Sequence, residues 1–233
     1  MQKTFITTLL ITIAFSLQAQ DTTKVQNNSR PAIYWLYHNN YNMAIRYNDY
    51  AEAKSALYTL INIEPQNDSL RFNLAYLYFD NQQYASTILV CRDILARNPQ
   101  NAPALEMSAI AYEELGLKDK AAINYEQLYL VTENLETLYK LAYLQYELKR
   151  YAESRVNIDI LLANDETDNR TIIFQINELE QKEFSLRVAV LNLDGLVKKD
   201  QGDKPGAKEA FTKALELAPD FVFAKNNLAE LDK

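Results

Sequence analysis

One histidine, His38, and one cysteine, Cys91, are all the chain of 233 residues offers of either type. That scarcity bounds its chemistry. A zinc site built from several His or Cys ligands is excluded, and a Cys–His nucleophile pair would need Cys91 to stand exposed beside His38. A lone cysteine forms no internal disulfide and, as a small apolar side chain, reads as core. Carboxylates are plentiful, yet Glu113-Glu114 and Asp165-Glu166 read as a solvated helix face and a turn. Nothing around them would separate two pKa values for acid–base work. DQGDKPG at 200–206 lacks the alternating oxygen ligands and closing Glu of a calcium loop, and no Gly-rich phosphate loop is present. No enzyme activity, cofactor or metal is therefore expected. The side chains left to act are those of a surface, with 16 tyrosines and 9 phenylalanines among them.

Those side chains must be held by helices. Four glycines and six prolines are too few for a loop-rich or β-rich chain. The prolines and tyrosines also keep a period: Pro65 and Pro99 stand 34 apart, as do Tyr50 and Tyr84, and LAYLYFDNQQYA (74–85) recurs as LAYLQYELKRYA (141–152). Small residues (Ala53, Ala121, Ser154, Ala207) recur where two antiparallel helices would approach, and Leu57, Leu60 and Ile61 form one stripe at helical spacing. A single helical hairpin cannot bury such a stripe, so stacked neighbours must.

With this period the chain resembles the tetratricopeptide repeat family. The final unit carries the fullest motif: Gly195, Ala207, Phe211, Ala214 and Pro219. Leu74-Ala75, Ser108-Ala109 and Leu141-Ala142 stand at the corresponding contact in earlier units. The resemblance implies an all-α, right-handed superhelix of about five repeats: four across 34–168, a fifth with a capping helix across 188–233, and an insert at 169–187. It also implies a register. The first helix of each repeat lines a concave groove, which assigns to it Phe72, Tyr76 and Phe79 from the second repeat. Glu106, Ile110, Glu113 and Glu114 follow from the third, and Tyr139, Tyr143, Tyr146 and Glu147 from the fourth. An aromatic strip bordered by carboxylates suits a protein segment that is basic or aromatic; the alternative is that these tyrosines pack between repeats. Family members that clamp a C-terminal carboxylate use cationic groups, whereas His38, Asn42, Asn73, Pro103 and Met107 fall at those positions here. Only the asparagines suit that task.

The insert breaks the period. Ile172, Phe174 and Ile176 alternate on one side of Glu180, and Phe184, Leu186 and Val188 on the other, the pattern of a β-hairpin near 171–188. Ile172, Ile173, Ile176 and Leu179 would equally make a helical stripe, and NELEQK offers no Gly or Pro for a tight turn. A hairpin there either seals the joint between repeats or offers a free edge to a partner strand.

The N-terminus, MQKTFITTLLITIAFSLQAQ, reads as a signal peptide over 1–19, with a basic start at Lys3 and an apolar run from Phe5 to Phe15. That run is shorter than the roughly 18–20 residues that span a bilayer, so export without integral membrane insertion is expected, to the periplasm or cell surface. No cysteine follows the cleavage region, which removes the acceptor for a lipoprotein anchor. Residues 20–33 read as a polar, disordered tether. The chain carries 24 Lys+Arg against 31 Asp+Glu, a net charge of −7, which repels nucleic acid. The expected function is a non-enzymatic adaptor of the cell envelope that holds a partner segment in its groove. The alternative is a homo-oligomer assembled by repeat stacking or hairpin-edge pairing.

Overall fold

The computed structural model describes residues 30–231. The expected signal peptide, 1–19, and the tether up to residue 29 lie outside the described residues. Ten helices form five antiparallel pairs: α1 (Ala32–Arg46) with α2 (Tyr50–Ile63), α3 (Asp68–Asp80) with α4 (Tyr84–Leu95), and α5 (Ala102–Glu114) with α6 (Lys118–Thr132). Then come α7 (Leu135–Glu147) with α8 (Tyr151–Ala163), and α9 (Leu186–Asp200) with α10 (Lys204–Leu217), and α11 (Val222–Leu231) closes the described array. Ala32 and Ile33, expected in the tether, already belong to α1, because Pro31 at its N-cap pre-sets a helix start.

Each pair turns by the same device. Asn48, Gln82, Gly116, Lys149 and Gly202 adopt positive φ between 56° and 85°. The next residue then donates its amide five residues back, as in Asp49 N to Ala44 O (2.8 Å) and Arg150 N to Gln145 O (2.8 Å). This left-handed closure satisfies carbonyls at the helix end, and the same donor residue starts the second helix. Where that residue is Asp49 or Asp203, its carboxylate also accepts an amide of the helix it begins. Asn67, Asn101 and Asn134 cap the first helices of the second, third and fourth pairs.

The core is continuous between neighbours. Leu57 and Leu60 of α2 cluster with Leu70, Leu74 and Leu77 of α3, and Cys91 and Ile94 of α4 with Ala104 of α5. Between α8 and α9 a 3-10 turn (Asp165–Asp168) leads into an antiparallel hairpin of β1 (Thr171–Gln175) and β2 (Gln181–Ser185), with Ile172 opposite Phe184 and Phe174 opposite Lys182. Its turn needs no glycine because the Asn177 side chain accepts from Leu179 N (3.0 Å) and Glu180 N (3.1 Å).

The second arm is shorter than its alternation implies. Leu186 and Val188 are the first turn of α9, capped by Ser185, and Arg187 fastens that turn to Leu162 O (2.9 Å) and Asn164 O (3.0 Å) at the end of α8. Both side chains are buried on a helix, where 186 and 188 point in different directions, so apolar content misread as period two. The hairpin lays Phe174 and Phe184 on Phe221 at centroid distances of 5.0 and 4.8 Å, and Phe223 completes the cluster.

Candidate functional site

Three first helices, α3, α5 and α7, carry the surface on which the sequence concentrates aromatic and acidic side chains. Tyr76, Ile110 and Tyr143 hold equivalent positions on them. Tyr76 is 55 % and Tyr143 40 % exposed, while Ile110 between them is partly buried against the core. Phe72 and Phe79 are half-buried: Phe72 packs on the cluster of Ala75, Cys91, Ile94 and Ala104, and Phe79 sets its ring edge-on to Tyr84 at 5.6 Å. Tyr143 lies 6.2 Å from Tyr146, which lies 6.2 Å from Tyr151 of α8.

Tyr139 departs from its expected place. It is 8 % exposed and sits in the cluster that holds Leu186, Ala189 and Val190 of α9. Burial in that cluster drives its phenol pKa upward. Its ring, 6.5 Å from Tyr143, supports the strip from beneath and does not face a partner.

The acidic border is more heavily engaged than its residue types indicate. The Glu113 carboxylate accepts from the buried Tyr125 hydroxyl and pairs with Lys140 Nζ at 3.2 Å. Burial and then that carboxylate push the Tyr125 pKa far up, so the phenol stays a donor. Lys118 Nζ lies 2.9 Å from Glu147 Oε1, which raises the lysine's pKa. Glu114 accepts from Tyr84, whose pKa is raised by burial first and by Glu114 second. Glu106 forms no ion pair among the described residues and stays exposed.

These contacts are one motif repeated. The first residue of each second helix reaches the carboxylate that ends the next first helix: Tyr50 Oη to Asp80 (3.3 Å), Tyr84 to Glu114, Lys118 to Glu147, and Tyr151 Oη to Asp200 (3.3 Å). The sequence reading missed Asp80, Asp200, Lys118 and Lys140. The 30-residue offset from Tyr50 to Asp80 and from Tyr84 to Glu114 was the available signal. Among the described residues no group of three or more His, Cys, Asp or Glu side chains is placed to hold a metal ion, and no helix is long and apolar enough to cross a membrane.

Residues 190–221 match the tetratricopeptide repeat family model. Among solved structures the chain is similar to a tetratricopeptide repeat protein from Parabacteroides merdae, with 20 % identity and a TM-score of 0.61, covering 86 % of this chain and 73 % of that one. The described array has the tetratricopeptide-repeat fold. By sequence the family match covers the last repeat; over the rest of the array the likeness is one of fold. Two MamA structures share that fold at 14 % identity: one with a TM-score of 0.59 over 79 % of this chain and 91 % of its own, and residues 41 to the end of MamA from Desulfovibrio magneticus at 0.58 over 83 % and 99 %. No curated protein sequence matches. Tyr76, Ile110 and Tyr143 lie on the first helices of their pairs.

Proposed function

We propose that this protein is an adaptor of the cell envelope that holds an extended segment of a partner protein, carrying Lys or Arg, along the surface of α3, α5 and α7. The tetratricopeptide-repeat fold is a protein–protein interaction scaffold in general. The observation that carries the finer reading is the pair of exposed rings, Tyr76 and Tyr143, on either side of Ile110 with the unpaired Glu106 beside them. Water leaves such rings readily, and basic side chains spaced along the partner would meet Glu106 and, about 12 Å further along α5, Glu114. Binding of this kind requires a preformed surface and no catalytic group. The apolar leader, with no cysteine at its cleavage region, supports export without a lipid anchor.

The test uses the protein as bait in the envelope fraction of its source cells, beside a Tyr76→Ala/Tyr143→Ala variant. Both rings are exposed, so the variant should keep its melting temperature while losing the captured partner by about 10- to 100-fold in affinity. Equal capture by both baits would discard the aromatic surface as the binding site.

A further inference from the structure

The outward face of α1 has the residue types of an interior. Leu36, Asn40 and Met43 hold the positions that Leu70, Leu74 and Leu77 hold 34 residues later, and Ala104, Ser108 and Ala111 after a further 34. All six later side chains are at most 6 % exposed, covered by the second helix of the preceding repeat. Among the described residues no repeat precedes α1, and Ile33, Leu36, Met43 and Tyr47 are 51 % to 70 % exposed. With Asn40 they are spaced 3-4-3-4 and form one seam about 21 Å long. A terminal repeat ordinarily needs a polar outer face. The opposite end has one, since Lys225, Asn226 and Glu230 of α11 are exposed.

We propose that this seam is covered by the same seam of a second copy, two α1 helices crossing antiparallel near Asn40 in a two-fold dimer. Three observations select that occupant. The chain has a net charge of −7, so two copies repel over most of their surface, yet α1 contains no acidic residue and Arg46 is its one charged side chain. The polar face of α11 cannot bury an apolar seam, which rules out head-to-tail stacking. Residues 20–29, QDTTKVQNNS, contain one aliphatic side chain, Val25, too little to cover four. Asn40, Met43, Ala44 and Tyr47 also line an open notch with Asp49 and Glu52 of α2, which receives Ile33 or Leu36 of the other copy. Asn40, central in the seam, fixes the crossing because each amide finds a partner only when the two meet.

Sedimentation velocity decides the matter, run on the full chain and on a chain beginning at Gln20 from about 1 to about 100 μM. Both should pass from monomer to dimer. Leu36→Glu/Met43→Glu should remain monomeric, with association weakened at least ~100-fold by two carboxylates placed in an apolar contact. Its helical circular dichroism should be unchanged, since both positions are already exposed, and Tyr76→Ala/Tyr143→Ala should dimerise like the parent. Monomer throughout, or a dimer indifferent to the two glutamates, would overturn the proposal. Growth beyond dimer would overturn the two-fold arrangement, and a full chain that stays monomeric while the shorter one dimerises would assign the seam to residues 1–19.

Discussion

Gly195 and Phe211 show what one residue contributes in this fold. A Cβ on Gly195 would come within 2.8 Å of Phe211 Cζ and closer still to Cδ1 and Cε1. The absent side chain is what lets α9 and α10 touch. Gly195→Ala should destabilise the protein by about 1–3 kcal/mol, seen as a lower urea midpoint. Gly195→Ala/Phe211→Leu should recover part of the loss, since the two positions share one contact. Both residues were visible in the sequence, because the motif is local to one helical pair. The same register assigns Tyr139 to the binding surface, yet it is buried in a cluster that includes Leu186, Ala189 and Val190, about 50 residues later and beyond an insert. A side chain's position on a helix follows from spacing, whereas its exposure depends on what arrives from elsewhere.

At the scale of the element, the inter-helix turns decide how faithfully each pair closes. Five turns use one left-handed residue each, glycine in two of them and Asn48, Gln82 and Lys149 in the others. A side chain in that conformation is disfavoured by roughly 1 kcal/mol or more, and lysine lacks the short polar group that eases asparagine there. Lys149→Gly should therefore raise stability by about 1 kcal/mol, less the extra entropy glycine brings to the unfolded chain. Gly202→Ala should lower it by a similar amount, and paired urea titrations would measure both. The insert is the element whose form the sequence left open. Alternation in TIIFQ was genuine, and it is a strand because Phe174 has Phe221 and Phe223 to pack on. An isolated hairpin of this length would be marginal in water, so its existence depends on Phe221 in the α10–α11 loop and Phe223 at the start of α11, which no local pattern mentions.

For the whole molecule, stability is distributed along the array, and its alkaline limit follows from groups held neutral inside it. Burial pushes the Cys91 thiol up to about 12. Burial, followed by Asp200 and neighbouring phenols, pushes Tyr146 up to about 12, and Tyr78 rises through burial and its hydrogen bond with Tyr58. In the unfolded chain these groups ionise near their ordinary values of 9.0 and 10.0. The folded state prefers the neutral forms, so their contribution is complete below about pH 9 and is lost as the pH rises towards 12. Calorimetric melting temperatures should be level from pH 7 to 9 and fall steeply above 10. Cys91 should resist thiol reagents at pH 8 until the chain unfolds; a thiol that reacts at once in the native protein would contradict its place in the core.

By itself the sequence determined the repeat, its length and the helices that compose it, because each helical pair carries its own stripes, caps and breakers within about 34 residues. It also determined which helices bear aromatic and acidic side chains. Tertiary structure decided which of those face solvent. Lys118 and Lys140, each from a different helix, turn Glu147 and Glu113 into paired charges. Tyr139 is buried in a cluster that draws on five helices, and the lack of a described neighbour before α1 leaves Leu36 and Met43 uncovered. The physical reason is that helix periodicity is a local property of the chain, while burial and charge pairing belong to contacts between segments far apart in sequence.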